Sequence, residues 1–297
     1  MYTENVRAAA TMSLAVVAFV AQDAAMKEVA GGMSMIQALA LRNALVTLVF
    51  VGLAASTGAL RQWRTLAEPL VWSRSAADTG ATLLYMLSLT HLPLTLVVAL
   101  NMATPLCVLP LAGIFLRERL GWRRVLAVLA GFGGVLLVLR PTASGLSAWA
   151  LLSAASAVFF AARDIMTRRV PARVPTLLVG AVMTAVLMGV CLIWTAWEGW
   201  TPVSPAQWTA VAAASALIAA GYYLAIVATR MGDVSLTSAF RYTALPWGAV
   251  WGYVLWGEVP DAPALAGAAL ILGAGLYALH RERREARPAA RSEPLVV

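Results

Sequence analysis

Arg241 stands between Phe240 and Tyr242 in a long apolar stretch, five residues before Pro246. A cation in that setting can receive a substrate carboxylate, with Tyr242 and Trp247 offering ring faces. Two other readings stay open for it: an internal ion pair with Asp23 or Asp164, or a side chain that snorkels to the interface. Polar groups recur within other apolar segments, where they are costly unless they face protein or water. Gln22, Asp23, Arg42, Tyr85, Asn101 and Thr104 do so in the first half of the chain. Arg163, Asp164, Tyr222, Tyr223, Arg241, Tyr242 and Trp247 do so in the second. All are candidates for a central cavity, and all but the two aspartates are candidate substrate contacts. Asn101 has an alternative role, bonding a backbone carbonyl freed by Pro105.

Asp23-x-x-x-Lys27 and Asp164-x-x-x-Arg168 set opposite charges one helical turn apart. Pairs that close the fold and pairs that gate or couple to protons both fit this spacing. His91 and His280 fall at the ends of apolar segments and read as boundary residues. Cys107 and Cys191 lie inside apolar runs, so neither a disulfide framework nor a metal site is implied. HExxH, GxSxG, P-loop and clustered His/Asp patterns are absent, which leaves a membrane-embedded enzyme without a catalytic motif and implies no cofactor. Without an ATP site, any transport runs on gradients of substrate or ions. A passive scaffold would leave Arg241 without a reason.

The composition dictates the solvent. Of the 297 residues, 61% are hydrophobic and 12% charged, with a mean hydropathy of +0.79. Soluble domains run at about 45–50% apolar and about 25% charged, so this is an all-α integral membrane protein. A spanning helix needs about 20 apolar residues. Windows of that size give ten candidates, near 8–28, 34–56, 70–90, 93–115, 122–140, 146–166, 175–197, 206–228, 234–256 and 261–280. The first of them resembles a signal peptide, with Arg7 ahead of an apolar core, but its pattern is repeated downstream and so belongs to the fold.

Charge placement orients the spans. With the N-terminus in the cytoplasm, 18 of the 22 basic residues fall on inner segments and only Arg140 falls clearly outside. Both termini are therefore expected to be cytoplasmic. The net charge of +8 reflects topology and anionic lipid, with no nucleic acid required.

The chain also repeats itself. Pro105 and Pro246 are 141 residues apart, as are Asp23 and Asp164, while Glu118/Glu258 and Gly133/Gly273 are 140 apart. A unit of five spans, residues 1–141, is followed by a second, residues 142–281, and a basic tail, 282–297. An odd number of spans per unit inverts the second in the membrane, which places a substrate site near the midplane and lets the halves rock around it. Pro105 and Pro246 are the candidate hinges. Glu118 and Glu258 are expected to bond neighbouring helix ends. Ala127/Gly131, Ala130/Gly134 and Ala269/Gly273 place small residues four apart, a spacing that permits close helix packing within the bundle.

Lys27 at the end of span one, Arg42 in span two, a proline-containing span four closing in Glu118-Arg119-Leu120, and a Gly-rich span five together resemble the EamA-type drug/metabolite transporter superfamily. Residues 8–140 and 146–280 resemble its tandem units, and the bacterial amino-acid exporters of the YddG-like type are similar in general pattern. Arg117 replaces the usual small residue before Glu118, and Ala21-Gln22 stands where Trp-Gly is usual. The resemblance implies a multi-pass protein of the bacterial inner membrane that works as a monomer and exports amino acids, possibly aromatic, or related metabolites by alternating access. Multidrug and nucleoside- or sugar-type transport are the alternatives. It also implies that spans five and ten are peripheral and that the remaining spans line the path.

Overall fold

A computed structural model describes residues 2–115, 122–139, 147–231 and 240–289. Glu118, Arg140 and the tail beyond residue 289 lie outside the described residues, as does the side chain of Arg168. The described residues form eleven α-helices and no strand. They are α1 (Tyr2–Ala30), α2 (Met35–Ser56), α3 (Pro69–Leu89), α4 (Leu94–Asn101), α5 (Thr104–Phe115) and α6 (Trp122–Leu139), then α7 (Ala148–Arg169), α8 (Thr176–Glu198), α9 (Pro205–Met231), α10 (Ala244–Trp256) and α11 (Ala262–Ala289). Five of them carry stretches long and apolar enough to cross a membrane: Val6–Ala30, Met35–Ser56, Ala148–Thr167, Thr176–Glu198 and Pro205–Ala225. Large apolar side chains face outward, among them Leu48, Leu129, Ile193 and Trp197, whereas Gln22, Arg42 and Asp78 are buried. That inversion of the soluble pattern suits a bilayer.

The segment expected as one helix over 93–115 is two, α4 and α5, parted at Met102 and Ala103. Pro105 has no N–H to donate to the Asn101 carbonyl, and the Thr104 hydroxyl fills that role at 2.7 Å. The break puts Pro105 in the first turn of α5, where a missing N–H leaves nothing unsatisfied. Pro246 takes the matching place, third in α10, just after a 3₁₀ turn over Arg241–Thr243. Gly257, with φ of 65°, ends α10 in the left-handed region that a side chain disfavours.

The principal helix pairings join the two halves of the chain. α1 packs on α9, α2 on α8, α3 on α7, α4 on α10 and α6 on α11. Exchanging each helix for its counterpart turns α1·α9 into α7·α3 and leaves α2·α8 and α6·α11 unchanged, as a two-fold relation requires. Apolar clusters support this arrangement. The largest joins Met26, Ile36, Leu39, Leu89, Leu94 and Val211, and a second joins Leu100, Leu106, Val138 and Ile271. Between α6 and α11 the backbones nearly touch: a Cβ on Gly134 would lie 2.7 Å from the Gly267 carbonyl, and the reverse holds for Gly267. Gly273, grouped with the small-residue spacings above, instead has open space around it.

At one end of the bundle several contacts converge on Lys27. Its Nζ donates to Glu258 Oε1 at 2.6 Å and to the Leu92 carbonyl at 2.9 Å, and lies 4.6 Å from the centre of the Trp256 ring. The other oxygen of Glu258 accepts the Leu94 N–H at 2.8 Å, capping α4 where the helix dipole favours an anion. Gly252 leaves room for this, since a Cβ there would sit 2.7 Å from Glu258 Oε2. The expected Asp23–Lys27 pair does not form, because Glu258 satisfies Lys27 from 231 residues away. Beside this tie, Gln37 bonds Thr201 at 2.8 Å and Ser34 bonds Glu198 at 3.0 Å, joining the start of α2 to the α8–α9 connection.

Two predictions follow from the packing. Gly134→Val, with no room to relax against backbone, is expected to destabilise the bundle by about 1–3 kcal/mol, while Gly273→Ala stays within about 0.5 kcal/mol. Thermal unfolding in detergent distinguishes the two. In a double-mutant cycle, Lys27→Met and Glu258→Gln are expected to couple by about 0.5–3 kcal/mol, and additive losses would show that the contact contributes nothing.

Candidate functional site

A cavity of about 270 Å³ opens between the halves. α1 to α5 and α7 to α10 contribute lining residues, and among the described residues α6 and α11 contribute none. Two charged assemblies stand on its wall, each built from more than one helix.

The first joins α1, α2 and α3. Arg42, 2% exposed, donates through Nη1 to Gln22 Oε1. Gln22 Nε2 donates to Asp23 Oδ1 at 2.5 Å, and the Tyr85 hydroxyl donates to Asp23 Oδ2 at 2.7 Å. Lys27 is one turn further along α1 and pairs with Glu258, while Asp23 turns to Gln22 and Tyr85 instead. α2 is held to α8 beside this assembly by Thr47 and Thr184, whose hydroxyls meet at 2.8 Å.

The second joins α7 to α3. Arg163 donates through Nη1 to Asp78 Oδ1 at 2.8 Å, and through Nη2 and Nε to Asp164 Oδ1 at 2.8 and 3.0 Å. Its guanidinium also lies 4.7 Å from the centre of the Phe160 ring. Such pairing is what makes buried charge tolerable away from water. Each of the three nitrogens of Arg163 is therefore engaged by a carboxylate, and Asp164 pairs with it at the neighbouring position. At the end of the bundle nearest this assembly, Arg74 bonds Thr167 at 2.8 Å and Arg173 pairs with Glu68 at 2.8 Å.

Aromatic side chains cover the intervening wall. Phe19 meets Tyr222 edge-on at 5.4 Å, where Gly221 leaves space for the Phe19 ring, and Tyr85 meets Phe160 at 6.3 Å. Between them the site presents cations, amides and ring faces, and Met102, Met183 and Leu187 add adaptable apolar surface.

Of the residues selected from sequence, Gln22, Asp23, Arg42, Tyr85, Asn101, Thr104, Arg163, Asp164, Tyr222, Arg241 and Tyr242 border this one cavity, as does the hinge candidate Pro105. Arg241 has no polar partner among the described residues. Tyr242 presents its ring, while its hydroxyl lies against Gly275 of α11. Tyr223 and Trp247 are placed elsewhere: they are 68% and 38% exposed and do not line the cavity. Tyr223 follows Tyr222 by about 100° around the helix, so only one of the two can face inward. Lys27, paired with Glu258, lies outside the cavity lining. Asn101 does not bond the carbonyl freed by Pro105, which Thr104 has already satisfied.

Asp78, 3% exposed, was not among the residues selected from sequence. A single carboxylate in the middle of an apolar span was the available signal, and its partner Arg163 is 85 residues away. Phe19 and Phe160 were also missed, because a phenylalanine in a membrane helix carries no mark that separates cavity from lipid.

Comparison with known proteins gives the arrangement a family. The model of the EamA-like transporter family matches twice, over residues 6–140 and 147–279. A riboflavin transporter of Brucella anthropi is 26% identical, covering 73% of this chain and 78% of its own. The pseudopaline exporter CntI of Pseudomonas aeruginosa is 27% identical over 91% of this chain and 95% of its own. An S-adenosylmethionine uptake transporter of Rickettsia bellii is 28% identical over 65% of this chain and 66% of its own. A solved crystal structure superposes with a TM-score of 0.61 at 20% identity, covering 96% of this chain, and shares its fold. These relatives are named for varied metabolites, so the amino-acid exporters that the sequence pattern resembles are not singled out among them. With its cavity between paired halves and two full matches along its length, the chain belongs to the EamA-like transporter family.

Proposed function

We propose that this protein is a secondary transporter that moves a small metabolite out of the bacterial cytoplasm by alternating access. Residues 1–141 and 142–281 act as two inverted five-helix units, with α4 and α5 counted as one broken span, both termini cytoplasmic, and the 282–297 tail at the inner face. The observation that carries this reading is the placement of the polar cavity between the halves, lined from both and flanked by the α6·α11 pair. In this reading the Lys27–Glu258 pair closes one face of the cavity, which exchanges it for the other as the halves rock. Pro105 and Pro246, in the first turns of equivalent helices, are the hinges of that movement. Asp23, Asp164 and Arg168 are the groups through which ion coupling or gating would act, and Lys27 holds the gate.

Within the family, an amino acid, aromatic or aliphatic, fits a cavity that combines Arg241 and Arg42 with the rings of Phe19 and Tyr222. The relatives named for riboflavin and S-adenosylmethionine favour a second reading, a vitamin- or nucleoside-type metabolite. The protein works as a monomer in the inner membrane.

Counterflow in proteoliposomes tests the proposal, with amino acids, nucleosides, flavins and sugars offered with and without a pH gradient. Flux of at least one class is expected, unchanged chemically after transport. Arg241→Ala is expected to lower that flux about tenfold or more while leaving the thermal unfolding midpoint in place. Unaltered flux in the variant removes Arg241 from the site, and a panel that never crosses the membrane contradicts the transporter reading.

A further inference from the structure

The polar groups on the cavity lining are not all satisfied, and two of those left open share one chemistry. Arg163 directs Nε, Nη1 and Nη2 to carboxylates. Arg42, more deeply enclosed, does not. Its Nη1 reaches Gln22, and its Nε is buried with no partner among the described residues. The neighbouring carboxylate, Asp23, is already engaged on both oxygens, by Gln22 Nε2 and the Tyr85 hydroxyl. Gln22 thus acts as a spacer: it accepts from the cation with one end of its amide and donates to the anion with the other, keeping them apart. Asn101 supplies a second open donor. Because Thr104 takes the carbonyl at the α4–α5 break, Asn101 Nδ2 is left buried and unpartnered at the cavity wall.

Of the three buried unpartnered atoms on cavity-lining residues, the Tyr242 hydroxyl turns to Gly275, and the other two, one of them on a cation, are both donors. A buried donor left unmade is unfavourable, and a charged one more so. What completes them is an acceptor with negative charge, and an oxyanion meets a guanidinium edge better than a neutral carbonyl does. We propose that Arg42 and Asn101 form an anion-recognition subsite, so that the transported molecule carries a carboxylate or another oxyanion, which docks at Arg42 Nε while a further acceptor reaches Asn101. Gln22 is the positioning residue that keeps Arg42 available by holding Asp23 away. The inference rests on the transporter reading and narrows its substrate class.

Matched acid and amide probes test it on the full-length protein in lipid nanodiscs. Indole-3-acetate is set against indole-3-acetamide, L-phenylalanine against L-phenylalaninamide, and benzoate against benzamide, with binding read by calorimetry. At least one acid is expected to bind, about tenfold or more tighter than its amide. Arg42→Gln is expected to erase that preference, and Asn101→Leu to weaken the acid alone. If Arg42→Gln fails to fold, Asn101→Leu and the wild-type acid-to-amide ratio decide. Amides bound as tightly as acids, or no acid bound at millimolar concentration, would overturn the subsite. Flux of neutral metabolites with no acid preference would do so too, while leaving the transporter reading intact.

Discussion

A charge placed among lipid-facing helices must find its counter-charge or a donor network inside the protein, and this requirement shapes the bundle. Arg163 meets it by reaching from α7 to Asp78 on α3, so the contact that neutralises the cation also joins the two halves. The Arg42, Gln22, Asp23 and Tyr85 chain meets it differently, through an amide set between cation and carboxylate. Each solution draws polar groups from separate helices onto one cavity. Lys27 and Glu258 apply the same rule at the end of the bundle, where the pair spans α1 and the α10–α11 turn and caps α4.

Rigidity and mobility are divided among the helices. α6 and α11, pressed together at Gly134 and Gly267, stand outside the cavity lining and brace it from one side. The helices that do line the cavity include both prolines' neighbourhoods, and the ends near Lys27 are joined by side chains that can part without unravelling a helix. Small residues thus fix one pair, while polar contacts, which are exchangeable, hold the faces that a transport cycle would open.

Much of this architecture could be read from the chain. Apolar length located most of the helices, although 93–115 holds two, 234–239 lies outside the described residues, and five helices among those described are long and apolar enough to span; the constant offset of Pro105/Pro246 and Asp23/Asp164 marked helices that pair across the halves. The capping role of Glu258 followed from its place at a helix end. Contacts between residues distant in sequence did not follow. Asp23 and Lys27 have the spacing of a helical pair, yet each finds a better partner elsewhere, because a one-turn pair is worth only about 0.2–0.5 kcal/mol. Choosing Tyr222 over Tyr223 required the rotation of α9, and Trp247 is indistinguishable by type from a ring that faces inward. Pro105 advertised a disturbance without saying that the chain would split into two helices there.

The account stands on a single cavity that opens to either side of the membrane in turn. The direct measurement is thiol accessibility at Thr82, a cavity-lining position on α3, as a Thr82→Cys variant in a background lacking Cys107 and Cys191. Impermeant reagent is applied from each face of oriented vesicles. Labelling from both faces, with Lys27→Met increasing reaction from the face that Lys27 closes, is the predicted result. Labelling from one face alone, whatever the gradient and with Lys27 replaced, would contradict the account.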